Sequence, residues 1–176
     1  MKIFLNAGHG GKDPGAVGKS GLKEKDVSAR VVEILEERLK LNGYPVQVYQ
    51  EKNHYTEVSK EANKSGATLF ISVHCNSAAN PEAHGTEVLY YPTSTKGKQL
   101  ASILQQELVR ATGLYNRGIK PRGDLHVLKA TNAPAILVEL AFISNANEEK
   151  LLKENPEIFA NAIWEAIKIY KAKRLF

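Results

Sequence analysis

Four residues of this chain are of the types that hydrolytic metal chemistry needs, and they lie at the ends of its most ordered-looking segments. His9 follows the apolar run Ile3-Phe4-Leu5, His74 closes the run Thr68 to Val73, and Glu139 closes Ala135 to Val138. Glu24 opens a helical pattern in which Val27 (i+3) and Val31 (i+7) share its face, so its side chain is expected to point inward. Imidazole and carboxylate can hold a zinc ion while one coordination position stays open for water. Such an ion lowers the water's pKa toward ~7, and a second, unligated carboxylate can take and return the proton. Each residue also has a plainer reading. A lone His at a strand end is commonly a hydrogen-bonded scaffold residue, and a Glu in a first helical turn answers the helix dipole. Glu139 resists the plain reading, because a charge after four apolar residues is costly to bury without purpose.

These residues can meet only if the elements bring them together. Ile3 to Leu5, Pro45 to Tyr49, Thr68 to Val73, Thr86 to Tyr91, Leu125 to Leu128 and Ala135 to Val138 read as strands. Helical stripes separate most of them. One runs from Glu24 to a stop at Asn42-Gly43, and another runs from a Thr56 cap to Gly66. A third runs from a Thr95 cap to Gly113, a short one covers Glu148 to Lys153, and a last begins at Asn155-Pro156 and buries Phe159, Ile163, Ala166, Ile167 and Tyr170. Residues 8–21 and 76–85 read as open loops, as do 114–124. Alternation of helices with strands apolar on both faces describes a single twisted, mostly parallel α/β sheet of about six strands, with helices on both faces. No helix separates 68–73 from 86–91, so that pair is free to run antiparallel. Ligand sites of such sheets lie beyond the carboxyl ends of the strands, where His9, Glu24, His74 and Glu139 converge.

Composition narrows the alternatives. The chain has 176 residues, 43% hydrophobic and 24% charged, as one ordinary domain would. Residues 1–176 are therefore expected to be a single domain, with no second unit attached. No apolar run approaches a membrane span, and the Met1 to Leu5 stretch is too short for a signal peptide. One cysteine, Cys75, excludes an internal disulfide and reads as core. The net charge of +5 suits an anionic polymer. Nucleic acid is disfavoured, since the basic residues form no single run and aromatics are 7%. Gly8-His9-Gly10-Gly11 lacks the spacing of a phosphate loop, and no G-x-S-x-G elbow is present. His54 reads as solvated. His84 either lines the site or faces water, and His126, near the same rim, is a candidate for substrate contact.

At these residues the chain resembles the zinc-dependent N-acetylmuramoyl-L-alanine amidases. The stretch Asn6 to Gly15 resembles their opening GHGG..PG block, and Glu24-Lys25 the second. Ser72-Val73-His74-Cys75-Asn76 resembles the S-[IV]-H-x-N block, and Pro134 to Asn145 the closing P-A-[VI]-L-[VL]-E-x-G-F-[IL]-S-N block. Order and rough spacing match from residue 2 to about 170. The resemblance implies His9, Glu24 and His74 as Zn2+ ligands and Glu139 as the catalytic carboxylate. The implied substrate is bacterial peptidoglycan, cleaved at the amide between N-acetylmuramic acid and L-alanine. Arg117 to Lys120 resembles a segment near the substrate groove, which makes Arg117 a candidate substrate contact beside His126. Ala141 stands at a usual glycine, Cys75 at a usual alanine, and Tyr49-Gln50 where many relatives have Thr-Arg. No helix is inserted between Tyr91 and Leu100 of the kind that blocks the zinc in autoinhibited relatives.

Two rivals differ in class: a zinc peptidase acting on another peptidoglycan bond, and a catalytically silent wall-binding module. Glu139 argues against the second, because binding needs no such carboxylate. Action is expected at the cell wall, as an endolysin or autolysin would act. The chain is expected to be made in the cytoplasm and released at lysis, or to be an excised domain of a secreted protein. Nothing in the sequence sets the oligomeric state.

Overall fold

The structure is a computed structural model, and it describes residues 1–50 and 55–173. Along the chain the elements are β1 (Ile3–Ala7), α1 (Glu24–Leu41), β2 (Val46–Gln50), α2 (Tyr55–Ser65), β3 (Leu69–Asn76) and β4 (Thr86–Tyr90), then α3 (Thr95–Thr112), β5 (Asn116–Pro121), α4 (His126–Lys129), β6 (Ala135–Phe142), α5 (Ala146–Glu154) and α6 (Pro156–Ala172). His54 lies outside the described residues.

The six strands form one sheet in the order β2-β1-β3-β6-β4-β5. β2, β1, β3 and β6 are mutually parallel; β4 meets β6 antiparallel and β5 parallel. The sheet is thus mostly parallel with one reversal, and the freedom left to the 86–91 strand is used against β6. Alternation along the strands sorts side chains into two layers. Ile3, Leu5, Ile71, Val73, Ile136 and Val138 face α1, α3 and α6 in the larger core, while Phe4, Phe70, Ala135 and Leu137 face α2 and α4 in the smaller one. Five expected inward residues of α6 are all buried, with Pro156 in its first turn and Asn155 before it.

Four local readings change. Residues 114–124 contain strand β5. Its sequence, Asn116-Arg117-Gly118-Ile119-Lys120-Pro121, is polar because an edge strand need not be buried on both faces. The apolar run near Leu125 is one helical turn, α4, whose Val127 and Leu128 pack on the α2 side; four apolar residues cannot by periodicity alone separate strand from helix. Ser94, not Thr95, caps α3, its side chain accepting from the Gly97 N–H. Thr56 lies inside α2 rather than at its cap. β3 and β6 also run two or more residues past their apolar runs, so His74 and Glu139 sit within strands, as neighbours in register.

Candidate active site

The site is built at the carboxyl ends of β1 and β3, where a long loop leads from β1 to the start of α1. After β1, residues 8–23 wrap over the sheet edge and deliver Glu24 at the first position of α1. The first turn of α1 fastens this loop: Ser28 Oγ donates to the Gly8 carbonyl at 2.8 Å, and Lys25 Nζ to that of Gly11 at 3.0 Å. Gln50, at the position where many relatives carry Arg, donates to the Lys25 carbonyl at 3.1 Å and so steadies the same turn.

Glu24 is 4% exposed and its two oxygens are fully engaged. Oε1 accepts from His74 Nδ1 at 2.9 Å and the Cys75 N–H at 3.0 Å. Oε2 accepts from the Ala16 N–H at 2.9 Å and lies 3.2 Å from His9 Nε2. Burial acts to raise the Glu24 carboxyl, but the bonds from His74 and His9 overturn that and hold it far below the usual carboxylate range. The bond to Glu24 lifts the His9 imidazole to about 9, against burial, with the Asp13 bond adding to the rise. One donor atom from each of His9, Glu24 and His74 lies within 4.8 Å of the others.

The backbone is shaped to permit this. Among the described residues His9 is the only non-glycine with a positive φ, 59°, a strained conformation of the kind held at functional sites. Its Nδ1 is 2.8 Å from Asp13 Oδ2, whose other oxygen accepts the Gly15 N–H. This carboxylate aims Nε2 at Glu24. A Cβ on Gly8 would stand 2.3 Å from the His74 ring, and one on Gly15 2.6 Å from Glu24 Oε2. Both glycines therefore vacate the space that the donor side chains fill.

Glu139 on β6 pairs in register with His74 on one side and Glu87 of β4 on the other. Glu139 Oε2 is sealed from solvent with no hydrogen-bond partner. Burial pushes its carboxyl up to about 7; His74 opposes the rise, and the charges of Glu24 and Glu87 add to it. Ala141, at the usual glycine position, is buried in the larger core and leaves this carboxylate in place, and Cys75 is buried core.

A cleft of about 560 Å³ opens beside the His–Glu–His group, lined by His9, His74, Asn6 and Leu137 and by the 123–127 segment, His126 included. Arg117 lies on the other flank, paired with Glu87 at 3.0 Å. His84 faces solvent, edge-on to Tyr115. Several contributors escape sequence reasoning. Asp13, four residues after His9, carries a local signal for its role. Glu87 carries only the weak signal of a charge within an alternating strand. Glu148 and Glu149, buried in the first turn of α5, accept backbone N–H groups of Gly85 and Phe142 and of Ser20 respectively, tying both site loops to one helix. Nothing in their spacing reveals partners so far away.

Fold and site together define an α/β protein whose His–Glu–His group can hold a divalent ion beside a buried carboxylate. Residues 3–169 match the family model for N-acetylmuramoyl-L-alanine amidase. The chain is 34% identical to the uncharacterized protein YqiI of Bacillus subtilis over 96% of its own length and 84% of that protein's. It is 38% identical to the endolysin of Bacillus phage SPP1, over 87% of this chain and 59% of the endolysin. The solved structure of the amidase AmiC2 of Nostoc punctiforme superposes with a TM-score of 0.91 at 28% identity, covering 98% of this chain and 97% of that one. The chain belongs to the N-acetylmuramoyl-L-alanine amidase family. It is an enzyme of that class, a hydrolase of the peptidoglycan amide between N-acetylmuramic acid and L-alanine.

Proposed function

We propose that His9, Glu24 and His74 hold a zinc ion and that Glu139 is the general base and acid for amide hydrolysis in the bacterial wall. The observation that carries this reading is the juxtaposition of three donor atoms within 4.8 Å with a carboxylate that has one sealed, partnerless oxygen. The donor set fits the ion. Two imidazoles and one carboxylate are a zinc set that leaves a position open, and the Glu24 charge, now answered by His9, would be answered by a dication. Zinc there supplies a Lewis acid that acidifies a water and polarises the scissile carbonyl.

The chain's own groups do the rest. Asp13 holds the His9 ring in the orientation that presents Nε2. Glu139 takes a proton from the attacking water and returns it to the departing alanine amine, so that the acyl–nitrogen bond breaks with a neutral leaving group. Burial of its carboxyl raises its proton affinity above that of a free carboxylate, which favours a group that must both take and return a proton. The cleft beside His126 has the size for a short segment of substrate.

The test pairs metal analysis with wall clearing. About one zinc per chain is expected, with clearing lost to a chelator and restored by zinc. Glu139→Gln should keep the zinc and lower turnover roughly 10²–10⁴-fold. Undiminished clearing by that variant would remove Glu139 from its role. Product analysis separates the amidase from a peptidase, since only the former frees L-alanine amino groups from muramic acid.

A further inference from the structure

We infer that Arg117 and Lys120 form a carboxylate-binding subsite that takes the acidic residue following L-alanine in the stem peptide; this rests on the amidase reading above. β4 and β5 run opposite to the rest of the sheet, so their amino ends, Glu87 and Arg117, arrive beside Glu139. There a single carboxylate oxygen, Glu87 Oε2, accepts from both Arg117 Nε, at 3.0 Å, and Lys120 Nζ. The other oxygen is taken by Asn76 Nδ2 at 2.9 Å. Two cations thus share one anion, which leaves an unmatched positive charge at the flank of the site.

The cations are presented, not consumed. Arg117 is fixed by three contacts: Glu87, the His84 carbonyl at 3.2 Å, and the Phe142 ring at 4.8 Å from its centroid. Its Nη2 has no protein partner among the described residues, and the side chains of Arg117 and Lys120 are 30% and 43% exposed. A guanidinium held rigid with an open edge matches a carboxylate.

Spacing selects which carboxylate. One strand spacing of about 4.8 Å separates Glu87 from Glu139, and Arg117 lies 3.0 Å beyond the Glu87 carboxylate. Arg117 lies on β5, two strands from Glu139 on β6, a separation of roughly 10 Å at one strand spacing each, which an extended peptide covers in about three residues at about 3.3 Å each. A stem peptide that begins with L-alanine presents its first carboxylate on the next residue, D-glutamate.

The test compares two substrates of the zinc-loaded full chain: N-acetylmuramoyl-L-alanyl-γ-D-glutamyl-L-lysine, in which the α-carboxylate of D-glutamate is free and its γ-carboxyl is in the peptide bond, and the same tripeptide with that α-carboxylate amidated to D-isoglutamine. Release of alanine amino groups is read for both. The expected preference for the free acid is roughly 10-fold or more in kcat/KM, carried mainly by KM and reduced by salt. Arg117→Gln should bring the ratio near one, while Arg117→Lys keeps a measurable part of it. Lys120→Gln, at the more exposed position, should lower the ratio about threefold. Equal hydrolysis of both substrates by the parent would overturn the subsite and leave the amidase reading standing. So would a ratio unmoved by Arg117→Gln and Lys120→Gln. Hydrolysis of neither substrate would overturn both.

Discussion

Glu139 shows how far a single residue's surroundings set its chemistry. Its carboxyl is raised to about 7 because one oxygen is sealed without a partner. A carboxylic acid whose folded pKa exceeds its unfolded value of about 4.5 binds more protons folded than unfolded between those two pH values. Stability contributed by this group therefore falls as pH rises from about 4.5 to about 7, and the full cost is present above that. After chelator treatment, Glu139→Gln is expected to be more stable than the parent at pH 8 by about 2–3 kcal/mol, and nearly equal to it at pH 4. Denaturant unfolding at both pH values checks this, and a gap independent of pH would contradict it. Asp13 poses the complementary case. It aims the His9 ring, so Asp13→Ala should weaken zinc affinity roughly 10–100-fold while far-ultraviolet circular dichroism stays unchanged. Competition with a chromophoric chelator would measure it, and unchanged affinity would reduce Asp13 to a loop contact.

At the scale of elements, the site depends on a few attachments between a loop and a helix start. The 8–23 loop is held by the first turn of α1 at one end and by Glu149 of α5 at the other. The opposite flank depends on α3, the crossover that makes β4 and β5 parallel and thereby brings Arg117 to Glu87. Parallel neighbours require such a crossover, so the integrity of α3 governs β5. Its cap is Ser94, whose side chain accepts the Gly97 N–H at 3.0 Å. Ser94→Ala should cost about 1 kcal/mol, a fall of about 2–4 °C in Tm for a chain of this size, with zinc content unchanged. A simultaneous loss of zinc would mean that α3 also supports the His–Glu–His group, which the contacts do not indicate.

For the whole molecule, the proposed zinc ligands lie in the β1 loop, at the start of α1 and near the end of β3, so an ion held by them would join segments as far apart as Glu24 and His74, 50 residues from one another. Binding to the folded chain alone stabilises it by mass action, by about 4 kcal/mol at a thousandfold excess over Kd. For this size that corresponds to a Tm rise of order 10 °C. His74→Ala should abolish the rise. Calorimetry with and without zinc reads it, and an equal rise in the variant would place the ion elsewhere. No helix among the described residues is long and apolar enough to cross a membrane.

Much of this was legible before any coordinates. Ile3 to Leu5, Thr68 to Val73 and Ala135 to Val138 are apolar on both faces, and only the middle of a helix-covered sheet accommodates such runs. The first ionisable residue after each run is conspicuous for the same reason, which is why His9, His74 and Glu139 stand out from sequence. What the sequence by itself determined was therefore the layered α/β architecture and the residues at its strand ends. Only the tertiary structure decided the rest. Whether β4 and β5 run with or against the sheet is not written in local periodicity, yet that reversal alone places Glu87 and Arg117 beside Glu139. An edge strand as polar as Asn116 to Pro121 escapes detection because solvent accepts one of its faces. The same holds for Glu148 and Glu149: their partners, backbone N–H groups on other loops, are identical for every residue type and leave no mark on the sequence.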